Sequence, residues 1–432
     1  MMHDVLDRLP AVRRFEDAMR RGETRWKLGP LQTVAVQEAR SNQGYSPPEL
    51  SDATKRQLVE RHGIPPEEIS SGFAGINNGS SAYILVGAIT GIKGRDILTQ
   101  EYHWDGYDKV IPYAGHNARE VPRDVPIRKY IEDRYGRPDE FRQRSGDKVG
   151  ALLITNPCSI TGKELRPDEL RDLLKIVKDY NISLIFNEIH AGPSANGNGF
   201  SSITRLPEYQ EVKDKILIVG SITKTANIPN AVPKTSYFFT ADKQWGQQIM
   251  TEVSQLSRPF DNEDKSRILS YLQGVGPQYW LENERAYSKN RDIVDQWMEK
   301  INKGAGSEAV KWLNGHPDKG YMASIEFSPS LLKKAEIHDT QELFEYLYTS
   351  TGVNTAEVMP SIEKKSALPI AVRVNYALEE RQLNLGMDLL EAAMKKMEKG
   401  VTLRQVRNDP AKRRLSDPFA DLFSGYTTTY QR

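Results

Sequence analysis

The sequence predicts an α/β chain whose larger part is a mainly parallel sheet flanked by helices. Three observations point to it. Short β-branched runs recur at 94–100 (GRDILTQ), 149–155 (VGALLIT), 182–188 (ISLIFNE), 216–222 (ILIVGSI) and 235–241 (TSYFFTA). Helix-like segments stand between them, and in Pro167 to Tyr180 the spacing of Leu170, Leu173, Leu174 and Val177 sets one apolar helical face. Strand, helix and strand at this spacing argue for parallel strands covered by helices.

Each of the first three runs gives way to polar or small residues, as expected where a buried strand ends in a functional loop. Ligands of such sheets bind beyond the carboxyl ends of the strands, so the residues after each run are where chemistry is to be sought. Upstream, AYILVGAI after Ser81 reads as the start of a helix. From about residue 300 the pattern changes to ASIEFSP, DTQELFEYLYTS, IAVRVNYAL and a long helix through NLGMDLLEAAMKKMEKG, which suggests a smaller α/β unit. The final stretch, from Asp409, carries Pro, charge and aromatics without periodicity and reads as a tail that docks on a neighbour. No internal repeat or low-complexity segment is visible.

Charge excludes broad classes of partner. The 59 Lys and Arg nearly cancel the 58 Asp and Glu, which gives no general pull toward nucleic acid or an anionic membrane. Lys412, Arg413 and Arg414 read as solvated surface. A single cysteine, Cys158, excludes an intrachain disulfide and fits a reducing compartment, so a cytoplasmic location is expected. No run approaches the ~18 apolar residues that would span a bilayer, and the first residues lack the apolar core of a signal peptide. Val5, Leu6, Leu9, Val12, Phe15 and Met19 instead suggest an amphipathic helix, interrupted near Pro10, that packs on the body or on a second subunit.

Several strand-end residues carry chemistry. Gly220-Ser221-Ile222-Thr223-Lys224-Thr225 places hydroxyls beside a lysine after an apolar strand. Lysine forms an imine with an aldehyde, and the hydroxyls can bind a phosphate on the same cofactor. Asn78-Gly79-Ser80-Ser81 opens the upstream helix, where backbone N–H groups and hydroxyls make an anion site or an ordinary cap. Trp104, in YHWDGY after ILTQ, stands where an aromatic can meet a flat ring or fill the core. Arg373, in the apolar run IAVRVNYAL, is costly to bury unless paired with a substrate carboxylate or an internal one.

Together these segments resemble, over roughly residues 40 to 385, the class I/II aminotransferases of PLP fold type I, enzymes that use pyridoxal 5'-phosphate (PLP). That fold has a large PLP-binding domain, a mainly parallel sheet flanked by helices, and a smaller α/β domain drawn from both chain ends. The resemblance implies an N-terminal segment at 1–65 joining the small domain, a large domain at 66–299, and a C-terminal small domain and tail at 300–432. It makes SITK the Schiff-base element with Lys224 as the catalytic lysine, and assigns Ser80, Ser81 and Ser221 to the cofactor phosphate. Lys234, in PNAVPKTSYFF, stands where the family usually has an arginine; it keeps the charge but loses the two-pronged geometry. Trp104 falls at the position that stacks on the cofactor ring, and Arg373 at the position that binds the α-carboxylate of an amino acid. Tyr45, in NQGYSPPEL, resembles the tyrosine that reaches a phosphate across a dimer interface, although Glu49 or Leu50 replaces the glycine that normally follows. A homodimer with shared active sites is implied.

Two motifs depart from the family. Asn156-Pro157-Cys158-Ser159-Ile160-Thr161-Gly162 keeps the length of N-P-x-N-P-x-G, but Ser159 replaces the asparagine that hydrogen-bonds the phenolic oxygen, and a serine reaches it only through water. The D-E-I-Y/H element reads Asn187-Glu188-Ile189-His190, with His190 near the phenolic oxygen as in some lyases. The family's aspartate keeps the pyridine nitrogen protonated; a neutral Asn187 offers no comparable charge, a loss of about 1.4 kcal/mol per unit of pKa no longer supported. Three explanations stand. Asn187 is natural and tunes the chemistry, it marks an engineered chain, or the register is displaced and Glu188 serves. The first two are favoured, because Glu188 would point to the other face of an extended strand.

The seven histidines show no metal-ligand spacing, so no metal site is expected, and neither G-x-G-x-x-G nor G-x-x-x-x-G-K-[ST] occurs. The glycine-rich stretch from Ala191 to Gly199 reads as a loop by the pocket. The resemblance implies an aminotransferase-like enzyme in which Lys224 is displaced by the substrate amine and then moves a proton; the missing Asp and Asn point toward specialised biosynthesis. The alternative is a lyase that performs β/γ-elimination, replacement or ring formation on a sulfur amino acid or S-adenosylmethionine. A third reading, a degenerate binding protein without turnover, is disfavoured by the retention of Lys224 and Arg373.

Overall fold

The computed structural model describes residues 62–64, 70–74, 80–104, 106–143, 148–191, 202–221, 236–256, 277–353, 355–357 and 369–408. In chain order the larger sheet and its helices comprise β1 (Ser70–Ala74), α1 (Ser80–Thr90), β2 (Asp96–Gln100), α2 (Tyr107–Tyr113), β3 (Asn117–Val121), α3 (Ile127–Tyr135), α4 (Pro138–Gln143), β4 (Val149–Thr155), α5 (Pro167–Tyr180), β5 (Ser183–Asn187), β6 (Ile216–Ser221), β7 (Ser236–Thr240) and α6 (Lys243–Leu256). The strand order is β1-β7-β6-β5-β4-β2-β3. From β6 across to β3 every pairing is parallel, whereas β7 pairs antiparallel with both β6 and β1.

Every residue of β4, β6 and β7 is buried, which is why these runs are continuously apolar rather than alternating. Their side chains still alternate between two cores. Leu152, Ile154, Leu184, Phe186, Ile216 and Ile218 face the core that takes in Leu170, Leu173, Leu174 and Val177 of α5. Ala151, Leu153, Ile185, Leu217 and Val219 face the other core, beneath α1, α2 and α6. Each such aliphatic side chain contributes ~1.5–3 kcal/mol on burial. Helix α5 spans the residues its spacing predicts; the Glu169 carboxylate accepts the Arg166 N–H at its start, and Asn181 ends it with φ 53°.

Helix α1 fixes the orientation of the site. It leads within a few residues to the beginning of β2, so its C-terminus lies at the amino edge of the parallel strands and its N-terminus, at Ser80, at their carboxyl edge. Gly87 lets it approach α6 closely: a Cβ there would stand 3.2 Å from the Ile249 Cα. The Trp245 indole of α6 donates to the Ala88 carbonyl over 3.0 Å and ties the two helices together.

A second sheet follows. The long helix α7 (Pro277–Ala305) leads to β8 (Val310–Trp312), β9 (Met322–Phe327), α8 (Pro329–Lys334), α9 (Thr340–Thr351), β10 (Ala356–Glu357), β11 (Ala371–Asn375), α10 (Glu380–Glu398) and α11 (Leu403–Arg407). Its four strands run in the order β10-β11-β9-β8, all antiparallel, and have a core of their own around Ile325, Phe327, Tyr346 and Met394. The change of pattern expected near residue 300 thus falls inside α7. Among the described residues no helix is long and apolar enough to cross a membrane.

Candidate active site

Alternation along the strands decides what the carboxyl edge offers. Thr155, Asn187 and Ser221 end β4, β5 and β6, and each continues the face of its strand that carries Leu153, Ile185 and Val219. Thr155 pairs in register with Asn187. Thr155 and Asn187 therefore stand side by side on the face covered by α1 and α2, and Ser221, on the same face, lies two residues beyond Val219, the residue paired with Asn187. Glu188, one residue further, falls on the opposite face. Its Oε1 accepts from Ser202 Oγ over 2.8 Å, and its Oε2 lies 3.3 Å from His62 Nδ1 without hydrogen-bond geometry. Burial raises the Glu188 carboxyl to about 8, so it is protonated at neutral pH. Asn187 and Glu188 thus lie on opposite faces of the strand end, and Asn187 is the one on the face of Thr155 and Ser221.

Asn187 sits in a fixed network. Its Oδ1 accepts the Ile189 N–H over 3.1 Å, and its Nδ2 donates to Tyr107 Oη over 2.6 Å. Tyr107 Oη lies 2.7 Å from Thr155 Oγ1. Burial raises the Tyr107 phenol to about 12 against the lowering effect of these two bonds. The Tyr107 ring is stacked on His103 at 5.6 Å and meets the Trp104 ring edge-on at 5.7 Å. His103 itself is held by Asp108 at 2.8 Å and Glu120 at 3.3 Å; burial pulls its pKa down, but the two carboxylates outweigh this and raise it to about 9. Gly106 makes room for Trp104, since a Cβ there would lie 2.4 Å from the indole ring.

The loop after β4 reaches toward the second sheet. Asn156 Oδ1 accepts the Leu165 N–H over 2.7 Å, the Cys158 N–H bonds the Lys163 carbonyl, and Gly162 closes the turn at φ +68°. Ser324 Oγ of β9 then donates to the Ile160 carbonyl over 2.6 Å. Because Arg373 of β11 pairs in register with Ser324, this bond brings Arg373 to the loop that carries Ser159. His190 Nδ1, after β5, lies 3.1 Å from Tyr321 Oη at the start of β9. Tyr321 is kept un-ionised by burial, although the Arg373 charge opposes this.

Of the residues singled out in the sequence, Ser81, Trp104, Ser159, Asn187, His190, Ser221 and Arg373 lie among those described. Ser80 begins α1. Lys224, Lys234, Tyr45, the loop after Ala191, the N-terminal amphipathic segment and Lys412 to Arg414 lie outside the described residues. Tyr107 and Tyr321 were given no role from the sequence. Tyr107 had a signal in its place three residues after Trp104 at the start of a helix; Tyr321 had none, since its contact with His190 spans 131 residues.

The donors present fit a flat, phosphate-bearing ring. The Ser81 hydroxyl, buried at the start of an eleven-residue helix with no acidic residue in its first turn, makes no hydrogen bond among the described residues. The same holds for the buried Ser159 hydroxyl and for the second N–H of Asn187. Ser81, Ser159 and Asn187 are buried residues at the carboxyl edge, and their hydroxyl and amide groups suit a polar ligand.

Comparison with known proteins gives this edge a context. A family model described as aminotransferase class I and II matches residues 15–259. Aspartate aminotransferase of Bacillus sp. (strain YM-2) is 26% identical over 366 residues, 83% of each chain. The 1-aminocyclopropane-1-carboxylate synthase 4 of Solanum lycopersicum is 31% identical over 228 residues, 52% of this chain; the chain thus matches less than half, 44%, of that relative's length. Among solved structures, aspartate aminotransferase from Thermotoga maritima superposes with a TM-score of 0.62 at 16% identity, covering 85% of this chain and 88% of that one.

Proposed function

The chain belongs to the class I and II aminotransferase family, whose members use pyridoxal 5'-phosphate and have the α/β architecture of PLP fold type I; from that premise we propose that it is an aminotransferase-like enzyme acting on an amino acid, with the cofactor anchored on Lys224. The observation that carries the reading is the row of Thr155, Asn187 and Ser221 on one face of the carboxyl edge, beside the N-terminus of α1.

When bound, PLP withdraws electrons from the substrate's α-carbon and so eases loss of a bond there. The chain's own groups do the rest. Ser80, Ser81 and Ser221, with Lys234 and Tyr45, hold the phosphate, and the N-terminus of α1 adds its dipole. Trp104 would cover one face of the ring, Asn187 would meet its nitrogen, and Ser159 and His190 would meet its phenolic oxygen. Arg373 pairs with the substrate carboxylate and sets which α-carbon bond faces Lys224. Lys224 Nζ would hold the cofactor and, when free, would move the proton at the substrate's α-carbon. The division at 1–65, 66–299 and 300–432 and a homodimer sharing sites through Tyr45 are parts of the same reading. So are a cytoplasmic location and a role in specialised biosynthesis.

A second reading is a lyase that eliminates, replaces or closes a ring on a sulfur amino acid or S-adenosylmethionine. His190 in N-E-I-H supports it, as does the similarity to a 1-aminocyclopropane-1-carboxylate synthase. A protein that binds without turnover is disfavoured by the presence of both Lys224 and Arg373.

Product analysis separates these readings. With PLP, an amino-acid panel and a keto-acid acceptor, the first reading expects amino-group transfer to the keto acid. Release of a leaving group, or ring formation with nitrogen retained, selects the lyase. Neither product from any amino acid or from S-adenosylmethionine would overturn both.

A further inference from the structure

Resting on the cofactor reading above, we propose that Asn187 meets the ring nitrogen of PLP as a hydrogen-bond donor, so that the nitrogen is held without a proton, and that Tyr107 is the positioning residue that turns the amide this way.

The orientation of the amide follows from its partners. A backbone N–H can only donate, so the Asn187 atom 3.1 Å from the Ile189 nitrogen is the oxygen, and the flip ambiguity of a carboxamide is removed. Nδ2 then faces Tyr107 Oη at 2.6 Å and donates to it. The phenol proton of Tyr107 can go to Thr155 Oγ1 at 2.7 Å, a bond in which either hydroxyl can donate. The phenol, raised to about 12, keeps this proton through the neutral range. Asn187 therefore donates to Tyr107, which is joined in turn to Thr155, through side chains that are 2%, 0% and 6% exposed.

What the amide has left is one N–H without a partner among the described residues, while its oxygen already holds the Ile189 N–H. A ring nitrogen with a lone pair can take that N–H. A protonated nitrogen would have to share the oxygen with Ile189, and it would bring a positive charge against a neutral group.

Among the described residues, the nearby ionisable groups do not supply the missing counter-charge. Glu188 lies on the opposite face with Ser202 and His62 and is protonated. Asp108 and Glu120 are engaged with His103, which is protonated at neutral pH and stacks on Tyr107. Cys158 also acts on Tyr107 electrostatically, in the direction that raises the phenol. A neutral ring withdraws electrons less strongly than a protonated one, so this chain would lean more on Lys224 and on the alignment set by Arg373.

The test is 15N NMR of the full chain loaded with PLP labelled at the ring nitrogen. The expected resonance is that of an unprotonated, hydrogen-bonded pyridine, constant from about pH 6 to 9. In Asn187→Asp it should move upfield to the position of a protonated ring. Tyr107→Phe keeps the ring and its stack on His103 but removes the acceptor, so the released amide can also offer its oxygen and the resonance should become pH-dependent. A protonated-ring resonance in the unmodified protein overturns the proposal. A Tyr107→Phe resonance identical to the unmodified one at every pH overturns the positioning role. Absence of any bound resonance, with no covalent adduct on Lys224, overturns the cofactor reading itself and is thereby distinguishable from the other two outcomes.

Discussion

Asn187 Nδ2 donates to Tyr107 Oη over 2.6 Å, and this one bond joins the end of β5 to the first residue of α2, eighty positions earlier. The same tyrosine meets Trp104 edge-on at 5.7 Å. The side chain proposed for the nitrogen of the cofactor and the one proposed for its face are thus positioned by a single fully buried ring. A change at either should be felt at the other.

Gly106→Ala tests the Trp104 side of this arrangement. The added Cβ would overlap the indole, so Trp104 must leave its place. The φ of Gly106 is −61°, an ordinary value for alanine, so the backbone itself is not strained. Titration with PLP should show affinity reduced about tenfold or more, given ~1.5 kcal/mol for a lost ring contact, with the far-ultraviolet dichroism unchanged. Unchanged affinity would remove Trp104 from the site.

Arg373→Lys keeps the charge and loses the fork that grips both oxygens of a carboxylate. Losing one charge-assisted hydrogen bond costs ~1.5–3 kcal/mol, or about 10- to 100-fold in kcat/KM. Much of that loss should appear as a raised KM for the amino acid, while PLP affinity stays the same. A loss of PLP affinity with KM unchanged would place Arg373 elsewhere.

Glu188 makes a prediction about stability. Its carboxyl ionises near 4.5 in an unfolded chain and near 8 when folded, so the folded state holds the extra proton between these values. Stability is therefore fully present below the unfolded value and falls as pH rises toward 8, by a few kcal/mol at most. Glu188→Gln should flatten this part of the pH–stability curve measured by urea unfolding. A variant that keeps the wild-type slope would show that Glu188 ionises freely in the folded protein.

Legibility in the sequence followed local pattern. Strands β4, β5 and β6 were visible because both faces are buried, and α5 because its apolar spacing covers one core; all four lie within a residue of their expected ends. Strand β1 (SSGFA) and strand β3 (NAREV) stand at the two edges of the sheet and carry too few apolar residues to announce themselves. Helix α7 was missed because a long, charge-rich helix with mixed spacing gives no clean stripe. Of the residues proposed for the site, Asn187, Ser159 and Arg373 stand out in the sequence as strand-end or in-strand anomalies. Tyr107 and Tyr321 were not, since their meaning lies in contacts with Asn187 and His190 that only the folded chain creates.

The proposed function turns on Lys224 as the residue that anchors PLP. Incubating the full chain with PLP, reducing with borohydride and mapping the modified peptide by mass spectrometry tests it directly. The expected result is an absorbance band near the visible edge that disappears on reduction, with the pyridoxyl adduct on Lys224 and none in Lys224→Ala. An adduct on other lysines only, or no adduct at saturating PLP, would contradict it.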